Sequence, residues 1–152
     1  MNKNTKWLNI ASGNLEGGKK LKKSKLKRTT TNSHKQMLKP DYIEHLSEPW
    51  FSLITLGLKT VEGRRNKGKF KDMIVGQIIQ WVNDDFEPRS INTRIVSKQE
   101  YQTFEEYLVS EGLDKCLPGM PSLSHGQSVY FKYFTKEDES LYGVVAIRLE
   151  LV

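Results

Sequence analysis

From residue 41 on, apolar positions recur in short patterned runs; before it they do not. Trp50, Leu53, Ile54 and Leu56 follow Glu48-Pro49 at helical spacing, and Gly57 ends that run. Lys59 to Arg65 reads as extended chain, and Asn66-Lys67-Gly68-Lys69 as a turn. Ile74 to Val82 reads as a strand entered through Gly76 and broken at Asn83, Asp84 and Asp85. Ile91, Thr93 and Ile95 alternate with Asn92 and Arg94, so Arg89 to Val96 is predicted as a second strand. Thr103 is placed to cap a helix carrying Phe104, Tyr107 and Leu108, with Glu105 and Glu106 in its first turn and Gly112 at its end. Leu117 to Ser122 reads as an irregular loop. Ser124 then caps a helix bearing Val129, Tyr130, Tyr133 and Phe134, Lys136 to Glu139 forms a charged turn, and Val144 to Leu151 is the last strand. About four strands and three helices with no regular alternation predict an α+β domain rather than a doubly wound sheet. No internal repeat is visible.

Charge divides the chain at the same place. Residues 1–40 hold eleven basic side chains and one acidic one, a net of +10; residues 41–152 hold thirteen basic and seventeen acidic, a net of −4. Residues 1–40 have few large apolar side chains and no sustained period, so they are predicted to form a disordered basic tail before the compact domain of residues 41–152. The cluster from Lys19 to Arg28 suits a nucleic-acid-binding arm, a nuclear localisation signal if the host has a nucleus, or a solubilising tail.

The remaining composition removes whole classes of function. No apolar run approaches the roughly 18 residues a membrane-spanning helix needs, and no secretory signal is present. An intracellular location is expected, cytoplasmic, or nuclear if the host has a nucleus. One cysteine excludes an internal disulfide framework and a Cys-rich zinc site. His34, His45 and His125 are far apart and lack ligand spacing, so no metal and no cofactor is called for. Cys116 has no neighbouring base in sequence to activate it, and Ser124-His125 is explained by a helix cap.

The chemically distinctive stretch is Gly57-Leu58-Lys59-Thr60-Val61-Glu62-Gly63-Arg64. In an extended chain Thr60, Glu62 and Arg64 share a face, and Lys59 sits at the junction with the preceding helix. An ammonium, a carboxylate and a guanidinium gathered there suit phosphate binding with an orienting acid, or acid–base chemistry if burial shifts a proton affinity. A surface strand with a weak ion pair would carry the same residues.

This stretch, preceded by Glu48-Pro49-Trp50-Phe51, resembles the signature GxKxxExR of the ASCH domain family. Later landmarks agree in order: Val75-Gly76-Gln77, Glu111-Gly112-Leu113, Leu117-Pro118-Gly119, Val129-Tyr130 with Tyr133-Phe134, and Gly143 to Ile147. The resemblance spans about residues 42–152. It implies a small PUA-like β-barrel with flanking helices and a cleft lined by the signature. It also implies RNA or nucleotide binding through Gly57, Lys59, Glu62 and Arg64. The residues themselves add Trp50 and Tyr130 as flat surfaces for an unpaired base, and Lys67, Lys69 and Lys71 on a flanking loop as guides for a phosphate backbone. One branch of the family removes acetyl groups from acetylated cytidine using a Lys and a Thr; Lys59 matches that Lys, but Glu62 occupies the Thr position. A ribonuclease activity is also attributed to the family. A hydrolase using Lys59 and Glu62 is therefore the alternative reading, and a regulatory module holding a protein or small ligand in the same cleft is a third.

Overall fold

A computed structural model describes residues 38–152. The expected basic tail lies almost wholly outside these residues. The described chain forms one five-stranded sheet of order β1-β3-β4-β5-β2. The strands are β1 (Tyr42–His45), β2 (Val61–Arg65), β3 (Ile78–Asn83), β4 (Arg89–Tyr101) and β5 (Val144–Leu151). β1 runs parallel to β3, and the other ladders are antiparallel. Among the described residues no ladder joins the edge strands β1 and β2, so the sheet is a half-barrel rather than a closed barrel. The helices are α1 (Trp50–Thr55), α2 (Lys69–Asp72), α3 (Phe104–Glu111), α4 (Leu113–Cys116), α5 (Leu123–Tyr130) and α6 (Lys136–Tyr142).

β4 is longer than its alternation predicts. Its first half pairs with β3; beyond a register shift between Ile95 and Ser97 it pairs with β5 alone. The shift leaves Val96 exposed and lets one strand serve two ladders, the bending that a bulge produces. Ser97 to Glu100 have no apolar member, which hid this half from the pattern. Val144 to Ile147 are all fully buried, as in a central strand covered on both faces.

Three local readings need correction. The N-cap of α5 is Ser122, not Ser124: its hydroxyl accepts from the His125 amide at 3.4 Å. Tyr133 and Phe134 lie beyond the end of α5, in the turn that follows. Lys136 to Glu139 is the first turn of α6, not a loop. Thr135 accepts from the Asp138 amide and Asp138 accepts from the Thr135 amide, a capping box. High charge density masked that helix. α2 and α4 were also unforeseen; each is a single turn with too few residues to show a period.

The core joins the sheet to α1, α3 and α5 through Ile54, Trp81, Ile95, Tyr107, Tyr130 and Ile147, all buried. Phe104 stacks on Tyr130 and on Phe134, with centroids 4.4 and 5.5 Å apart. Tyr107 crosses directly beneath Gly63 of β2.

Candidate functional site

The chain leaves α1 through Gly57, whose φ of +70° suits a residue without a Cβ. That reversal lets the Lys59 amide bond back to the Leu53 carbonyl and sends the Lys59 side chain inward. Its ammonium, 2% exposed as a residue, donates to the carbonyls of Val61 at 2.7 Å and Cys116 at 2.5 Å. It also lies 2.9 Å from Glu62 Oε2 and 5.9 Å from the centre of the Trp50 ring.

Strand alternation places Glu62 and Arg64 on one face, as expected; Thr60, expected beside them, precedes β2 and does not join them. Glu62 Oε1 is 2.8 Å from Arg64 Nε, but the directions miss hydrogen-bond geometry, so the contact is an ion pair rather than an aligned bond. The Arg64 guanidinium rests 5.2 Å from the Phe70 ring centre and 5.8 Å from that of Trp81. No hydrogen bond to Arg64 Nη1 or Nη2 occurs among the described residues. The three side chains thus form a relay: a fully engaged ammonium, a carboxylate shared between two cations, and a guanidinium with its outer nitrogens open.

The relay lines a cavity of about 470 Å³, within the range of small-ligand sites. Trp50, Leu46, Val82, Leu117, Tyr130 and Phe134 contribute apolar wall. The opposite rim is the β3–β4 connection. There the buried Asn83 amide donates to the Leu46 carbonyl at 3.0 Å and to Asp85 Oδ2 at 2.8 Å. Arg89 donates to Asn83 Oδ1 at 2.7 Å and to Glu48 Oε1 at 2.6 Å, tying the rim to the start of α1. His45 and Asp84 meet at the mouth, 3.3 Å apart. Sequence reading treated Asn83 to Asp85 only as a strand break; the available signal was three successive polar side chains with an Arg six positions after the first.

Of the residues singled out in sequence, Trp50, Lys59, Glu62 and Arg64 meet in this cavity and Gly57 does not. Gly57 shapes the backbone behind it. Lys67 and Lys69 line an adjoining groove of about 360 Å³ with Arg64, Arg65, Phe70 and Phe134. Tyr130 reaches the cavity, but one ring face is covered by Phe104 and its hydroxyl donates to Tyr107 Oη at 3.1 Å.

Burial pushes the Glu62 carboxyl toward protonation, but the Lys59 and Arg64 charges outweigh it and hold the group below its ordinary value of 4.5. Glu62 is therefore a carboxylate at neutral pH. A group whose folded affinity for protons is depressed adds stability above its unfolded value; that stability is lost as pH falls through the folded value. Carbon-detected titration should place the Glu62 midpoint below 4.5, with stability dropping as it protonates; a midpoint above that value would break the relay as drawn. Burial pushes the Cys116 thiol up to about 11, so it is protonated and a poor nucleophile at neutral pH. Among the described residues no group of three or more His, Cys, Asp or Glu side chains could hold a metal ion, and no helix is long and apolar enough to cross a membrane.

The fold and the site together define a class: a compact α+β domain whose half-barrel sheet carries a ligand-sized cavity braced by a buried ion relay. The chain belongs to the ASCH domain family, whose model matches residues 45–152. It is similar to the crystal structure of hypothetical protein PH0355, with 32% identity over 73% of this chain and 98% of that one, at a TM-score of 0.67. It is likewise similar to the solution structure of protein PF0455 from Pyrococcus furiosus, with 32% identity over 73% of this chain and 96% of that one, at a TM-score of 0.61. No curated protein matches it.

Proposed function

We propose that this ASCH domain binds single-stranded RNA, with one unpaired nucleotide lodged in the cavity and held by Arg64. The observation that carries the reading is the state of that guanidinium. Its Nε is tethered to a buried carboxylate, its plane rests against aromatic rings, and its Nη groups have no hydrogen-bond partner among the described residues. An arginine fixed in that way offers two parallel donors without further loss of side-chain freedom, which suits a phosphate or a base edge. The aromatic and aliphatic walls favour an unstacked base over bulk water, and a base still paired in a duplex cannot enter.

Lys59 takes the part of brace in this reading. Its three donors are engaged by Glu62, Val61 and Cys116, so it acts on the ligand through Glu62 and Arg64. Glu62, ionised and shared by two cations, suits holding a charge in place better than shuttling a proton.

The test is fluorescence anisotropy with a labelled single-stranded RNA against the same sequence as a duplex. The single strand should bind more tightly, and Arg64→Ala should weaken it about tenfold to a hundredfold. Arg64→Lys should rescue little, because an ammonium cannot keep the tether and present two donors at once. Equal affinity for single strand and duplex, or an Arg64→Ala variant that binds like the parent, would overturn the reading. Cleavage of the RNA during the assay that Lys59→Ala abolishes would replace it with a hydrolase.

A further inference from the structure

We infer that the groove beside the Gly68 turn is a phosphate subsite separate from the cavity, so that a ligand's base lies inside and its phosphate outside, with Arg64 at the boundary. This rests on the nucleotide reading above and assigns the two halves of the nucleotide to different compartments.

The cavity itself is a poor place for a phosphate. Its charged lining is Lys59 and Arg64 against Glu62, Asp84 and Asp85, an excess of one negative charge with His45 left out of the count. The Lys59 ammonium is already engaged by Glu62 and two carbonyls. Most of the remaining wall is apolar. A phosphate there would lose water, face carboxylates and gain little in return. A neutral heteroaromatic ring fits those walls, with its carbonyl or ring nitrogen accepting from an Arg64 Nη group and an exocyclic amine facing the acidic rim.

The groove has the opposite character. Arg64, Arg65, Lys67 and Lys69 line it over Phe70 and Phe134, and among the described residues no acidic side chain does. Some of that charge is already met: Asp138 pairs with Arg65 at 2.7 Å and Glu44 with Lys69 at 2.5 Å, while Glu62 is shared by Lys59 and Arg64. The four lining cations and their partners, with Lys59 behind Glu62, comprise five cations and three carboxylates, an excess of two. Lys67 has no carboxylate partner among the described residues. Its ammonium donates to the neutral Tyr142 hydroxyl at 2.9 Å and lies 4.4 Å from that ring's centre. An excess of two positive charges matches one phosphomonoester dianion or two successive phosphodiesters. Arg64 and Phe134 line both spaces, so the two join at Arg64, where one ligand can span them.

Lys67→Glu isolates the claim, because Lys67 is exposed and its partner is uncharged, so the fold is expected to tolerate the change. The probes are the four ribonucleosides and their 5′- and 3′-monophosphates, titrated into the full chain and followed by Trp fluorescence and calorimetry. For the preferred base, one of the two monophosphates should bind about tenfold more tightly than the nucleoside. Lys67→Glu should erase that advantage and leave nucleoside affinity unchanged. On single-stranded RNA the same variant should make the dependence of log affinity on log salt shallower by about 0.7. A nucleoside that binds as tightly as both its monophosphates, or an advantage that survives Lys67→Glu, overturns the subsite while leaving the cavity's role intact. Binding of no nucleoside, monophosphate or RNA overturns both. A circular dichroism melt matching the parent confirms that a lost advantage comes from the charge and not from unfolding.

Discussion

Replacing Lys59 with Met is expected to remove about 3–5 kcal/mol of folding stability, a large share of what a domain of this size has. The two side chains have similar length, so little volume changes; what changes is the pairing. Glu62, 5% exposed, would keep only its misaligned contact with Arg64, and the carbonyls of Val61 and Cys116 would lose their shared donor. An uncompensated buried carboxylate is among the more costly defects a core can carry. Lys59→Met with Glu62→Leu removes both charges and should recover most of the loss, a strong favourable coupling in a double-mutant cycle read by urea denaturation. The double variant also separates fold from binding. Arg64 would lose its tether while the domain stayed folded, so RNA affinity should fall as it does for Arg64→Ala. A Lys59→Met protein within about 1 kcal/mol of the parent would show that the ammonium is not committed to the relay.

Gly63→Ala should be nearly as damaging, for a steric reason. A Cβ at this position would meet three atoms of the Tyr107 side chain, the ring carbons Cε1 and Cζ at 2.7 Å and Oη at 2.9 Å. Tyr107 is fully buried and its hydroxyl accepts from Tyr130, so the ring has little room to retreat. The strand also cannot move outward without disturbing its ladder with β5, where Gly63 faces Ala146. Overpacking of this kind costs about 3 kcal/mol or more, and the melting temperature should fall by about 10 °C. Tyr107→Leu vacates the space, so adding it to Gly63→Ala should cost less than the two separate losses combined. A Gly63→Ala protein that melts with the parent would mean that β2 and α3 are less tightly apposed than described.

These two variants mark where sequence reading reached and where it stopped. The shared face of Glu62 and Arg64 follows from the two-residue period of an extended chain, which is why it was legible. That Lys59 turns inward to the same carboxylate depends on the Gly57 reversal and on a carbonyl 57 residues further along the chain, at Cys116. No local period encodes that approach. Gly63 illustrates the same limit: within the signature it is an unspecified position, and only the arrival of Tyr107 from α3 makes a side chain there intolerable. The Asn83–Asp85 rim reads in sequence as a strand break alone, because its partners, Leu46, Glu48 and Arg89, come from two other segments.

From the order of its residues alone, the chain determined its α+β class, the caps at Thr103 and Gly112, the extended segment bearing Glu62 and Arg64, and its resemblance to the ASCH family; each rests on short-range spacing, which backbone geometry converts directly into a face or an end. The tertiary structure alone decided that the sheet stays open, that β4 bends to serve two ladders, that Trp50, Lys59, Glu62 and Arg64 share a cavity, and that Lys67 and Lys69 lie in a groove beside it. Those outcomes depend on which distant surfaces meet once apolar area is removed from water, and that meeting is a property of the whole packed chain.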